Sequence, residues 1–384
     1  MNDYLSQLVN RLDLQHDKRH RYIIVSHLFD DTLRMLAAME PVCEFDAIFG
    51  IPYSSNRPGV AQRWAARFGD KIHIAPDLAR MEAALVAELG RSLALCQRRN
   101  QKLIVQDVGG FVVPLLHTYF ADRLRLVKGV VEITKQGVWR SEEVDLKIPV
   151  LHCADSELKR LEARRCGETV ARCLDGVVRS FGLSLAGRPV TVMGAGWIGM
   201  ATAHGLRRID AVVEVVDRDP LRVTEARLEG FAASTAPRRL EATQLIVGAT
   251  GRTSITAEML DRLPNNAFVA SASSRRIEIE TDHLDAQAKL HVSDAVDAVY
   301  LPDQRKPGAA KTVLLVNDGY PANFIPGSGS VPDEIVETIL GELIVLMRNL
   351  SVDDFEPGIH RIGRDQEAVC AELWLELRDL DIDP

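Results

Sequence analysis

The chain has no apolar run of about 18 or more residues, so a membrane-spanning helix is not expected. Its N-terminus, MNDYLSQLVNRLDLQHDKRH, lacks the basic segment and apolar core of a secretory leader. Six cysteines (Cys43, Cys96, Cys153, Cys166, Cys173 and Cys370) are scattered without any C-x-x-C spacing. Reduced thiols fit that pattern better than a disulfide framework or a zinc site, and no metal is expected. A basic excess is missing too: 46 Lys+Arg against 54 Asp+Glu leave a net charge of −8. Broad nucleic-acid binding needs a basic face to displace counterions, so that class is set aside. Internal repeats and low-complexity tracts are absent. What is present is enough for two or three domains, because 384 residues at roughly 150 per domain can bury separate cores. Hydrophobic content of 46% with 26% charged residues excludes a largely disordered chain. The expectation is a cytoplasmic protein with a small-molecule substrate and neither nucleic-acid nor membrane partners.

Short apolar runs alternate with helical patterns through the first half. Strands are predicted at Tyr22–Ser26, Asp46–Ile51, Lys71–Ala75, Lys102–Gln106, Lys128–Ile133 and Pro149–Cys153. Apolar spacings of three and four place helices at Asp30–Met39, Val60–Phe68 and Leu78–Leu95, and a longer one runs from about Ser156 to Phe181. Such alternation implies an α/β fold with a doubly wound parallel sheet. A break at Leu185–Arg188 opens a second strand–helix series from Pro189 to about Phe324. Another break, Ile325–Ser330, precedes an apolar helix from Pro332 to about Met347, and an amphipathic helix follows near Asp365–Leu377. The domains expected are therefore 1–184, 185–325 and 326–384, the last returning to the first.

The sharpest motif is Val190-Thr191-Val192-Met193-Gly194-Ala195-Gly196-Trp197-Ile198-Gly199. An apolar strand runs into G-x-G-x-x-G and a helical pattern follows, which is the context a dinucleotide fingerprint requires. Gly194 makes the tight turn, Gly196 admits the pyrophosphate, and Gly199 lets helix and strand pack closely. Trp197 and Ile198 fill the variable positions, with backbone N–H groups at the positive end of a helix. A second strand, Val212–Val216, ends at Asp217, 23 residues past Gly194. Its carboxylate can accept both ribose hydroxyls and repels a 2′-phosphate, favouring NAD; the neighbouring Arg218 and Arg222 keep NADP open.

Seven segments in order resemble the S-adenosylhomocysteine hydrolase family. Ile51-Pro52-Tyr53-Ser54-Ser55-Asn56 is similar to its N-I-F-S-T-Q, and Asp107-Val108-Gly109-Gly110 to D-D-G-G. Gly129 to Val138 resembles G-I-S-E-E-T-T-T-G-V, and Asp155-Ser156-Glu157-Leu158-Lys159 resembles D-S-V-T-K. Asp219-Pro220 follows the ribose acid as in the family, Val247-Gly248-Ala249-Thr250-Gly251 resembles V-T-T-T-G, and Asp318 to Asn323 resembles E-G-R-L-V-N. The resemblance implies a split substrate domain around a central NAD domain and a homodimer or homotetramer. It also implies cofactor contacts from Thr134, Thr250 and Gly251, with Asn323 holding the nicotinamide carboxamide.

The family's catalytic set is largely replaced. Its acids fall at Val108, Ile133 and Ala163 (beside Glu162), its asparagine at Ala154, and its histidines at Ser274 and Ser330. Lys159 alone stands at a catalytic position, while Glu132, His152 and Asp155 border the same motifs as further candidates. His27 ends a strand where parallel sheets bind ligands, and equally suits a helix cap. The Arg275-Arg276 pair suits either solvent or an anionic substrate, and His204 is expected to pack on the sheet. The family's basic, tyrosine-bearing tail is replaced by Arg378-Asp379-Leu380-Asp381-Ile382-Asp383-Pro384. The expectation is an NAD-dependent oxidoreductase acting on a hydroxyl or carbonyl. The alternatives are an NAD-binding regulatory protein without turnover and, third, a true S-adenosylhomocysteine hydrolase.

Overall fold

The computed structural model describes residues 3–56, 59–303, 308–325 and 331–379. The chain divides into two compact units, Met1–Arg160 with Asp333–Pro384, and Leu161–Pro332. In the first unit six strands follow in sequence: β1 (His20–Ser26), β2 (Phe45–Gly50), β3 (Ile72–Ile74), β4 (Lys102–Asp107), β5 (Val127–Glu132) and β6 (Pro149–His152). They fall within two residues of the ranges expected from the apolar runs. A seventh, β15 (Gly358–Arg361), comes from the C-terminal segment and had no sequence signal of its own. The sheet is parallel throughout, in the order β15-β6-β5-β4-β1-β2-β3. Its strands are nearly continuous Val/Ile runs because both faces are covered. Ile24 faces a core shared with the C-terminal helix Asp333–Val352, while Ile23 and Val25 face the Leu78–Arg99 helix. The Leu78–Arg99 helix starts at Asp77, whose side chain accepts from Arg80 N, and ends at the left-handed Asn100.

The second unit contains β7 (Pro189–Met193), β8 (Val212–Val216), β9 (Ala232–Ser234), β10 (Leu245–Gly248), β11 (Ala267–Ser271), β12 (Lys289–Ser293), β13 (Val296–Pro302) and β14 (Ala310–Val316). Their order is β12-β13-β14-β11-β10-β7-β8-β9. The six strands from β14 to β9 are parallel and follow the dinucleotide-binding order 3-2-1-4-5-6. One departure from a doubly wound sheet is the antiparallel β12–β13 hairpin on its β14 edge.

The division between units lies at Arg160/Leu161, inside the Glu157–Ser180 helix, where the sequence suggested a boundary after residue 184. The reason is packing: Val170, Ala171, Leu174, Val177 and Val178 of that helix share a core with Val190 and Val192 of β7. The other expected break, Ile325–Ser330, lies outside the described residues apart from Ile325, as does the tail from Leu380 onward. Among the described residues no helix is long and apolar enough to cross a membrane.

Candidate functional site

The glycine-rich turn joins β7 to the Trp197–Arg207 helix. Gly194 has φ +109°, and a Cβ there would lie 2.6 Å from Ala249 O. A Cβ on Gly199 would lie 2.0 Å from Gly194 O, so both positions exclude any side chain. Gly196 is the Ncap, with no side chain over the helix's first N–H groups. Trp197 is 43% exposed and Ile198 packs against the unit's core. Asp217 directly follows β8, beside this turn: Ala195 N donates to its Oδ2 at 2.8 Å and Asp219 N to its Oδ1 at 2.9 Å. One carboxylate thus ties the turn to the strand end and keeps a second lone pair on each oxygen for ribose hydroxyls. Arg218 is exposed, and Arg222 Nη1 lies 3.1 Å from where a Gly196 Cβ would sit. The cradle and its carboxylate fit a dinucleotide.

The loop after β10 is fixed by a residue the sequence reading missed. Glu278 is fully buried and accepts from Thr250 N (2.6 Å), Gly251 N, Thr250 Oγ1 (2.9 Å), Ser254 Oγ (2.5 Å) and Ser273 Oγ. The signal available was a carboxylate set in the alternating Ile277-Glu278-Ile279-Glu280 run. Thr250 and Gly251 therefore have a defined position, held from behind. Asn323 is 3% exposed, with Nδ2 3.7 Å from Cys166 Sγ. Arg276 is committed to the protein, bonded to Asp318 O (2.6 Å), Asp318 Oδ1 (2.9 Å) and Asp285. Its guanidinium is thereby held by two carboxylates and a backbone carbonyl. His204 pairs with Glu229 and packs edge-on against Phe231, not on the sheet as expected.

In the first unit the candidate residues gather at the carboxyl ends of β4, β5 and β6. Glu132, 1% exposed, accepts from Gly109 N (3.3 Å), Ile133 N (2.8 Å), Thr134 N (2.7 Å) and Thr134 Oγ1 (2.8 Å) on Oε1, and from Gly110 N (2.9 Å) on Oε2. Five donors exceed the roughly four lone pairs a carboxylate offers. Glu132 is thereby a latch between two loops. Burial, with Asp107 nearby, raises its pKa. Thr134 belongs to the same latch: its hydroxyl also accepts from Gly109 N and caps the Lys135–Glu142 helix through Gly137 N. The Thr134 hydroxyl thus donates one hydrogen bond and accepts two within the latch.

His152, 5% exposed at the end of β6, has no hydrogen-bond partner on Nδ1 among the described residues. Burial pushes its pKa down to about 4, so the ring is neutral at pH 7. Asp155 forms an ion pair with Lys135, and its carbonyl accepts from Arg361 Nη2 at 2.9 Å. Lys159 is half-buried on the first turn of the Glu157–Ser180 helix, its N–H donating to Ser156 Oγ at 2.9 Å. Ser156 Oγ in turn donates to Glu342 at 2.8 Å. Glu342 is fully buried, and burial raises its pKa to about 8 while the Lys159 charge opposes the rise. Glu342 was also missed, although it is the lone carboxylate in the apolar run Ile339–Met347. His27 Nδ1 lies 2.6 Å from Ser54 Oγ, at the end of β1. Among the described residues no cluster of His, Cys, Asp and Glu is placed to hold a metal ion.

A family model described as the NAD-binding domain of S-adenosyl-L-homocysteine hydrolase matches residues 167–324. The S-inosyl-L-homocysteine hydrolase of Methanopyrus kandleri is 30% identical over 289 residues, covering 73% of this chain and 66% of that protein. The adenosylhomocysteinase of Aeropyrum pernix is 28% identical over 289 residues, covering 73% and 68% respectively. The chain thus matches about two thirds of the length of these curated relatives. A solved NADPH-dependent glyoxylate/hydroxypyruvate reductase from Sinorhizobium meliloti is similar with a TM-score of 0.47 at 14% identity, over 90% of this chain and 100% of that one. With an NAD-binding Rossmann domain at its centre, the chain belongs to the S-adenosylhomocysteine hydrolase superfamily as a divergent member.

Proposed function

We propose that the protein is an NAD-dependent oxidoreductase, oxidising a hydroxyl or reducing a carbonyl of a small molecule on a hydrolase-derived scaffold. The observation that carries this reading is the apolar or neutral filling of the proton-carrier positions. Val108 and Ala163 are buried at 6% and 3% exposure, Ile133 packs against the cores of the first sheet, and Ser274 is a half-buried hydroxyl. Ser330 lies outside the described residues. Elimination and hydration, as the resemblance implies them, need several groups that ionise near neutral pH, each worth about 10²–10⁴ in rate. Hydride transfer needs one base. NAD, when bound, supplies the hydride acceptor; Asp217 and the glycine turn hold it, and Lys159 takes the hydroxyl proton. A second reading, an NAD-binding protein without turnover, draws support from the latch that consumes Glu132 and Thr134.

NAD-loaded protein mixed with S-adenosylhomocysteine or S-inosylhomocysteine is expected to release no homocysteine at steady state, and steady thiol release overturns the proposal. A panel of nucleosides and polyols should contain a compound that raises NADH absorbance. With that compound Lys159→Met should slow single-turnover reduction about a hundredfold or more while NAD affinity stays unchanged. No NADH from any compound favours the regulatory reading.

A further inference from the structure

A second concave site in the first unit lies at the opposite sheet edge from the candidate catalytic residues, at the amino ends of β1, β4 and β5. Its volume is about 550 Å³, and Arg19, Lys102, Arg125 and Lys128 line it together with Asp354. Four cations converge here in a chain whose net charge is −8. The Lys128 side chain is only 12% exposed, yet the carboxylate that meets it, Asp354, is 98% exposed. Lys128 first, then Lys102 and Arg19, pull the Asp354 pKa down. Asp354 therefore marks the point where three of the cationic fields meet. A fully solvated side chain is a weak, easily displaced counterion for a nearly buried ammonium.

Two opposing charges enter the count. The Leu78–Arg99 and Asp333–Val352 helices both end at this pocket, with Asn100 and Val352 in its lining. Each helix end carries about half a negative charge, and Arg19 already donates to Ser351 O at 2.8 Å. Four cations less two helix ends leave about +3, of which Asp354 offsets one charge while it remains in place. A phosphate dianion that displaces Asp354 neutralises more of this charge than that single carboxylate does.

We propose that this pocket binds the phosphate group of a small phosphorylated metabolite, with Lys128 and Lys102 as its main counterions and Asp354 as the residue it displaces. The volume admits a sugar phosphate. The site is independent of the oxidoreductase reading, since no catalytic candidate belongs to it.

Calorimetry tests this on the full chain saturated with NAD, which fills the other phosphate-binding position at the Gly194–Gly199 turn. Inorganic phosphate, pyrophosphate and glucose 6-phosphate are titrated at low and raised salt. Binding should weaken about tenfold or more in Lys128→Gln combined with Lys102→Gln, and tighten about threefold in Asp354→Asn. Tighter binding of glucose 6-phosphate than of inorganic phosphate identifies a metabolite; equal binding identifies the free anion as the ligand and overturns the metabolite assignment. Asp354 is so exposed that its substitution leaves folding intact, so that variant stays informative if the double variant unfolds. Absence of binding by all three probes, or affinities that neither variant moves, overturns the proposal.

Discussion

The two units treat the same architectural position in opposite ways. In each, a buried glutamate gathers the loops at the carboxyl edge of a parallel sheet: Glu132 in the first, Glu278 in the second. Around Glu278 the loops Thr250-Gly251 and Gly194–Gly199 keep a cradle that fits a dinucleotide. Around Glu132 the equivalent loops close on themselves, and the neighbouring positions are Val108 and Ile133. Cofactor binding rests on backbone geometry, which a few glycines and one carboxylate preserve. Acid–base catalysis rests on side chains that ionise, and a single substitution removes each. A scaffold can therefore keep its cofactor cradle while the side chains at its proton-carrier positions change.

The largest effect expected from breaking this asymmetry is at Gly199. The methyl added by Gly199→Ala would collide with the Gly194 carbonyl, so NAD affinity should fall about a hundredfold, the equivalent of the 1–3 kcal/mol typical of overpacking. Calorimetry measures it, and the first unit should retain its own unfolding transition. Near-wild-type affinity would show that the turn is not where NAD is held.

Both sheets and the glycine turn were legible in the sequence because their signals are local. Val/Ile runs spaced by amphipathic helices give the strands, and Gly194 through Asp217 follow a fixed spacing. The β12–β13 hairpin and β15 escaped for a physical reason. Leu290 and Val292 in β12 are exposed, so no alternation with a buried face marks that strand, and β15 is four residues completed only by pairing with β6. Glu132 illustrates the limit for sites. Its sequence position beside a catalytic motif suggested chemistry, but five donors gathered from two separate loops define it, and no spacing rule reveals those.

The latches themselves come next. Glu132→Gln and Glu278→Gln each turn one acceptor oxygen into a donor facing N–H or O–H groups, which should cost about 2 kcal/mol of stability. Denaturant unfolding reads that loss in both. Only Glu278→Gln should also weaken NAD binding, because its loops border the cofactor cradle; equal weakening by Glu132→Gln would erase the contrast between the units.

A smaller effect follows from His152. Its folded pKa of about 4 lies below the ordinary 6.5, so between those values the unfolded chain binds the proton and the folded chain does not. Stability is full above pH 6.5 and falls as pH drops, by about 1–2 kcal/mol on reaching pH 5. His152→Gln should flatten that slope in urea titrations across the range, and an unchanged slope assigns it to other groups.

The smallest effect sharpens cofactor choice within the second unit. Asp217 has two tasks, receiving Ala195 N and Asp219 N and presenting negative charge to the ribose. Asp217→Ala removes both, leaving two backbone donors without their carboxylate, so NAD affinity should fall about tenfold. Asp217→Asn separates the tasks. Its carbonyl still accepts one backbone N–H, but the charge that repels a 2′-phosphate is gone. NAD affinity should drop only about threefold while NADP binding improves, aided by Arg218 and Arg222 nearby. Calorimetry with both dinucleotides on wild type and the two variants gives the ratios. An NADP-to-NAD ratio that stays constant across all three proteins would mean that Asp217 braces the turn without reading the ribose.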